Sequence, residues 1–241
     1  MNLLEAIAGE VMRKLYEIEP QSLGILADAR LRCKADIEQA LRPHAERFAE
    51  LLPRSLEAPK EDFLALVREL RVDNFGAWGT RYILEHMGLE EPGPDFVTRA
   101  KEAILRAGDA ETVLQGTALV HRRVFAYGEY RLYGPKSLLE EGAMARENGR
   151  RRSEAGRLKA LASPISNLVD RSLCSEFQIM ASCLELTEAW PEVRGSMEIF
   201  VSTSPCVSCL WALRQCQCYW PKVRLGVVNG EEVLAPSLRG V

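Results

Sequence analysis

Two short stretches hold residues whose types and spacing can do chemistry. In SPCVSC, Cys206 and Cys209 stand three apart behind Pro205, and in DRSLCSEF, Cys174 and Glu176 stand two apart. A lone C-x-x-C fits a structural metal clip, a redox pair or two packed thiols. Pro205 suits the first turn of a helix, and thiols at a helix start see the positive end of its dipole, which favours the thiolate. Cys174, Cys206 and Cys209 could together offer three thiolates to a tetrahedral zinc, leaving a fourth position for water, whose pKa the metal lowers to about 7. Glu176, two residues from a ligand, is placed to move that water's proton.

For these residues to meet, the elements around them must converge. Leu173 to Trp190 reads as a helix with Asp170 capping its first turn, Pro191 ends it, and GSMEIFVST alternates as a strand. SPCVSCLWALRQCQCYW reads as a second helix stopped by Pro221, and KVRLGVVNG as a second strand. This alternation predicts a layered α/β core with some parallel pairing, and such sheets place their sites at one end, where the helix starts can meet.

The rest of the chain divides by texture. Residues 1–119 read as an all-helical region of open role: Leu4, Ile7, Val11, Leu15 and Ile18 mark a first amphipathic stripe. Further helices are expected over Gln21 to Leu41, Ala45 to Leu52, Glu61 to Leu70, Phe75 to Met87, Pro94 to Arg106 and Asp109 to Leu119. From Val120 to Pro135, VHRRVFAYGEYRLYGP reads as two short strands joined by a turn at its central glycine. Residues 136–164 form a basic insertion with Arg150, Arg151, Arg152, Arg157 and Lys159, either a solvated helix and linker or a phosphate-contacting patch.

The 241 residues carry 34 acidic and 31 basic side chains, so the net charge of −3 gives no global pull toward nucleic acid or anionic membrane. Glu5 and Glu10 interrupt the N-terminal apolar run, and no run reaches the eighteen or so residues of a span, so neither a secretion signal nor a membrane span is visible. The expected compartment is intracellular, cytoplasm or organelle, where seven clustered and lone cysteines are metal ligands or packed thiols before they are disulfides. Cys33, Cys183 and Cys216 read as buried packing groups, and His44 and His86 as helical surface or core groups.

Cys174-Ser-Glu176 followed by Pro205-Cys206-Val-Ser-Cys209 resembles the zinc-dependent cytidine deaminase-like superfamily, whose signature is His or Cys, x-Glu, then Pro-Cys-x-x-Cys. SPCVSC resembles the three-cysteine cytidine deaminases, DRSLCSE resembles the entry motif of tRNA deaminases, and RQCQCYWPKVRLGV resembles deaminases of protists. The resemblance covers residues 165–230. It implies a cytidine deaminase-like α/β/α layered core within a domain at 120–241, with Cys174, Cys206 and Cys209 holding zinc and Glu176 shuttling protons. The family's hairpin normally comes directly before the first motif helix, with a base-contacting asparagine near its end. Here the expected hairpin lies about 40 residues upstream, and Asn167 is the candidate for the asparagine's part. A dozen residues follow Asn229, so the family's last helix and strand are expected to be reduced.

The implied activity is hydrolytic deamination of a nucleobase, cytosine to uracil in RNA or single-stranded DNA, as in RNA editing. Arg150, Arg151 and Arg152, with Tyr127, Tyr130 and Tyr133 nearby, could line a channel for such a strand, and His121 is a further substrate-contact candidate. A free cytidine or nucleotide deaminase is the alternative. In another class stand a catalytically lapsed deaminase fold acting as a binding module, and a structural zinc clip of Cys206, Cys209, Cys216 and Cys218. The clip is opposed by the spacing of Cys216 and Cys218, which points them to different sides of one helix. The N-terminal helices are candidates for RNA reading, for a homo-oligomer or for a protein partner.

Overall fold

A computed structural model describes residues 36–37, 39–56, 59–70, 73–107, 124–135, 137–149, 157–161, 170–187 and 191–230. The chain divides into two compact units, Met1–Leu41 and Arg42–Val241. The described residues of the first unit are helical. All that follows concerns the second.

Its first four helices are α1 (residues 42–51), α2 (Glu61–Glu69), α3 (Gly76–His86) and α4 (Pro94–Ala107). α2, α3 and α4 match the helical spans expected there, whereas α1 includes residues 42–44, where the expectation is a break. Strands β1 (Phe125–Tyr133) and β2 (Leu138–Glu147) follow, then a 3₁₀ turn at Arg171–Leu173, α5 (Ser175–Glu185), β3 (Arg194–Val201), α6 (Val207–Tyr219) and β4 (Lys222–Asn229). The strands form one mixed sheet in the order β2-β1-β3-β4. β1 is antiparallel to both β2 and β3, whereas β3 and β4, joined through α6, run parallel.

The two-residue side-chain period of each strand sends its residues to opposite faces, and both faces are covered by helix. Ala126, Tyr130 and Leu132 of β1, Met197, Ile199 and Val201 of β3, and Leu225 and Val227 of β4 join Phe177, Ile179 and Met180 of α5 and Leu210 and Leu213 of α6 in one core. On the other face Phe125, Tyr127, Phe200 and Val228 meet Phe96, Ala100 and Ile104 of α4, a stripe at helical spacing of four. Pro94 opens α4, with Asp95 in its first turn and Arg106 in its last, each suiting the helix dipole.

The expected boundary at residue 119 falls among residues 108–123, outside those described. Helices on its N-terminal side share the core of the strands and helices beyond it. Phe75, Phe48, Phe63 and Trp211 form a run of ring contacts at 5.2, 5.4 and 5.7 Å that ties α1, α2 and the loop before α3 to α6.

The hairpin differs from expectation. FAYGEYRLY is one continuous strand through Gly128, and its partner is LLEEGAMARE, which falls in the expected basic insertion. Gly128 makes no turn: a Cβ there would stand 2.7 Å from Cγ2 of Ile179, so its lack of a side chain lets α5 lie close on β1. Gly142, paired with Tyr130, likewise leaves room for the Tyr130 side chain, whose hydroxyl a Cβ would meet at 2.9 Å. β2 is a sheet edge, and its exposed and half-exposed glutamates and arginine are what an edge strand carries. The hairpin therefore ends at Glu147, much nearer the first motif than expected.

Among the described residues no helix is long and apolar enough to cross a membrane.

Candidate metal centre

Both helix starts come together at the end of the sheet marked by the register partners Ala126, Val201 and Asn229. Cys174 is the N-cap of α5, and Cys206 is the N-cap of α6. Each has the extended backbone of a capping residue, with φ and ψ of −61° and 138° for Cys174 and −75° and 163° for Cys206. Pro205 thus lies one residue outside the helix, not in its first turn as expected. Cys209, three residues on, falls on the side of its own N-cap, as the N-cap and third helical positions do in a capping box. Asp170 caps the 3₁₀ turn instead of α5: its Oδ1 accepts from the Ser172 N–H at 3.0 Å and from the Ser172 hydroxyl at 2.6 Å.

The result is a three-thiol cluster. The sulfurs of Cys174, Cys206 and Cys209 all lie within 4.8 Å of one another, and those of Cys174 and Cys206 are 3.9 Å apart. All three thiols are free. Tetrahedral ligation at a metal–sulfur distance of about 2.3 Å sets sulfurs roughly 3.8 Å apart, so this cluster has the dimensions of a three-cysteine metal site. Among the described residues it is the one group of side chains placed to hold a metal ion.

The electrostatics share one negative charge among the thiols. Hydrogen bonds from the Cys174 and Cys209 thiols, with the Arg171 guanidinium adding its charge, hold Cys206 well below the ordinary thiol range. Cys174 is pushed up chiefly by its thiol contact with Cys206, and Cys209 chiefly by burial. Two helix N-termini pointing at the cluster further favour thiolate. A metal ion there would take the remaining thiol protons, since ligation requires the deprotonated sulfur.

Glu176, at the second position of α5, is 4% exposed. Burial, joined by the negative charge of Cys206, pushes its pKa up to about 7. The Ser175 hydroxyl donates to its Oε2 at 3.2 Å. A buried carboxyl poised near neutrality beside a cluster of thiols can hold or release a proton at working pH.

The residues that frame the cluster were not legible as such in the sequence. The Asp73 carbonyl accepts the N–H of Val207 at 2.8 Å, which satisfies a free donor at the start of α6. The Asp73 carboxylate pairs with Arg171, which is mostly buried. Burial pulls the Arg171 pKa down, but Cys206, Asp73 and Cys174 outweigh it and leave the pKa raised. The hairpin also reaches this end: the Gly149 N–H donates to the Leu173 carbonyl at 3.0 Å, and Asn148 bonds both the N–H and the carbonyl of Val124, at 3.1 and 2.9 Å.

Other expectations divide. Cys183 and Cys216 are fully buried among apolar side chains, as expected of packing groups. Burial keeps Cys216 well above the ordinary thiol range, and the four-cysteine clip is not assembled, because Cys216 and Cys218 lie outside the cluster. His44 and His86 are exposed on helices. The three tyrosines do not line one channel: Tyr127 is buried against Phe96, Tyr130 is buried on the opposite face of the sheet, and Tyr133 is 39% exposed near the hairpin tip. His121, Arg150, Arg151, Arg152 and Asn167 lie outside the described residues, as do Cys33 and the chain after Gly230.

Comparison with protein-family models, with curated proteins and with solved structures found no match to this chain.

Proposed function

We propose that this chain is a zinc-dependent hydrolytic deaminase of a nucleobase, acting on cytosine within RNA or single-stranded DNA. The observation that carries the reading is the buried Glu176 set two residues from one ligand of the Cys174, Cys206 and Cys209 cluster. An all-thiol donor set favours zinc among the common divalent ions. Zinc held there supplies Lewis-acid activation of water at neutral pH. Glu176 takes a proton from the attacking water and delivers it to the ring nitrogen of the base, then takes the proton of the hydroxyl newly joined to the ring carbon and passes it to the departing amino group. Water and the amino-bearing base become the keto base and ammonia, and the carboxylate returns to its starting state.

The fold supports this reading in outline. A short mixed sheet, helices on both faces and two helix starts meeting at one sheet end are what the deaminase-like α/β/α core requires. Asn148, which closes the hairpin beside the turn before Cys174, joins Asn167 as a candidate for holding the base.

A strand, in preference to a free nucleoside, is favoured by a ladder on α3. The Arg42 guanidinium sits 4.4 Å from the centre of the Trp78 ring, Trp78 stacks on Tyr82 at 5.3 Å, and Tyr82 on His86 at 6.3 Å. Arg42 and His86 are exposed, and both middle rings are partly so. Such a platform continues naturally into the stacked bases of a single strand. It begins five residues beyond Asp73, which touches the start of α6.

Ammonia release from cytidine, adenosine, single-stranded RNA and single-stranded DNA, with wild type and Glu176→Gln at equal zinc content, tests the proposal. Release from a cytosine-bearing strand by the wild type alone supports it. No release from any substrate leaves the lapsed binding module, and release from cytidine alone leaves the free-nucleoside enzyme.

A further inference from the structure

Two of the cluster's three thiols are set up for a reaction that the third is not. The sulfurs of Cys174 and Cys206 meet at 3.9 Å between two helix starts, although the residues stand 32 apart in the chain. Both are partly exposed, whereas Cys209 is fully buried. The other described thiols lack a partner, access or both: Cys183 and Cys216 are fully buried among apolar side chains, and Cys218 is partly exposed but stands outside the cluster. Cys174 and Cys206 are therefore the pair, among the described residues, that combines sulfur contact with access to small solutes.

Joining these sulfurs takes a closure of about 2 Å between two N-caps that already face each other. Metal ligation keeps thiols deprotonated, and the thiolate is the form that attacks a peroxide. One thiolate takes an oxygen from hydrogen peroxide as the O–O bond breaks, giving a sulfenic acid and hydroxide. The second thiolate then displaces that oxygen as hydroxide and closes the disulfide. The two sulfurs give up two electrons, the peroxide accepts them, and two solvent protons complete two waters. Two of the three ligand sulfurs are thereby consumed, and Cys209 alone is too few for a tetrahedral site.

We propose that Cys174 and Cys206 form a peroxide-sensitive pair that closes to a disulfide and thereby releases the metal ion. Cys206 and Cys209 are the competing pair, since C-x-x-C is also the spacing of redox motifs. The burial of Cys209 and the direct contact of Cys174 with Cys206 favour the link between the two helices. Exchange with a dithiol reverses the link, so the site is switched off and restored without being destroyed. The inference rests on the thiol cluster holding a metal ion, and it stands whether or not a base is deaminated.

The zinc-loaded full chain, freed of reductant and treated with hydrogen peroxide, tests it. Released zinc is read with a chromogenic chelator, and disulfides are mapped by mass spectrometry of non-reduced peptides. Peroxide should release the bound zinc, and the peptides bearing Cys174 and Cys206 should appear as one species two hydrogens lighter than their sum. Dithiothreitol followed by zinc should restore the starting metal content. In Cys209→Ser the same linked species should form, because the pair does not need the third thiol; if that variant fails to fold, the wild-type map decides alone. A chain that takes up no zinc yet forms this link keeps the thiol pair and sinks the metal-ion reading. Bound zinc that survives peroxide, a link between Cys206 and Cys209, or zinc loss with only sulfinic acids formed would overturn the proposal.

Discussion

Cys174 and Cys206 are each the N-cap of a helix, and their sulfurs stand 3.9 Å apart. Most N-caps supply an oxygen to the helix they start. Here two caps turn to each other, so the positive ends of two helices bear on one point where thiolates collect. The geometry that starts α5 and α6 is therefore the geometry that makes the site.

That convergence depends on how closely α5 lies on the sheet. Gly128→Ala would place a Cβ 2.7 Å from Ile179, against the middle of α5. Overpacking of this kind costs about 1–3 kcal/mol. Urea denaturation should show that loss, and metal affinity should fall with it as Cys174 moves away from Cys206. Unchanged stability would mean that α5 is free to shift.

Arg171 holds the cluster's charge from outside. Arg171→Gln removes both its pairing with Asp73 and its attraction for Cys206. Loss of such a supporting group typically lowers metal affinity about 10–100-fold. Competition with a chelator should show this, whereas Arg68→Gln, which breaks only the exposed pair with Glu61, should leave affinity unchanged.

On the opposite face of the sheet, Glu129 receives two hydrogen bonds from Arg99 at 2.7 Å and one from the Tyr127 hydroxyl at 2.8 Å. Burial, reinforced by the bond to Glu129, pushes the Tyr127 pKa from its ordinary 10.0 up to about 12. A raised folded-state pKa gives stability that is complete below the unfolded value and is lost as pH climbs through the folded one. Denaturation at stepped pH should therefore show the wild type losing stability between pH 10 and 12, and Tyr127→Phe losing less in that window. Parallel pH profiles would contradict the assignment.

The ladder on α3 predicts a binding defect separable from folding. Trp78→Leu and Tyr82→Leu should each weaken single-stranded RNA binding by about 1–3 kcal/mol, or roughly five- to 150-fold, as read by fluorescence anisotropy. Metal content should stay at the wild-type level. Equal binding by the variants would reduce the ladder to a packing feature of one helix.

The unit from α5 to β4 was legible in sequence because its hydrophobic period switches cleanly between helix and strand. MEIFV and VRLGVV alternate, and Pro191 and Pro221 mark the breaks. The candidate site was legible because Cys174, Cys206 and Cys209 mark the thiol cluster through type and spacing. β2 was not legible: LLEEGAMARE lies at a sheet edge, so water tolerates its charges and no apolar alternation is imposed. Gly128 read as a turn because its reason is Ile179, some fifty residues later. Asp73 left no signal either, since its role exists only when a loop before α3 reaches the start of α6.

The site depends first on three particular cysteines holding one metal ion. Metal analysis of purified wild type, Cys174→Ser, Cys206→Ser, Cys209→Ser and Cys216→Ser tests it most directly. One zinc per chain is predicted for wild type and Cys216→Ser, and a loss in each of the other three. Zinc retained in Cys174→Ser but lost in Cys216→Ser would contradict a site built on Cys174, Cys206 and Cys209.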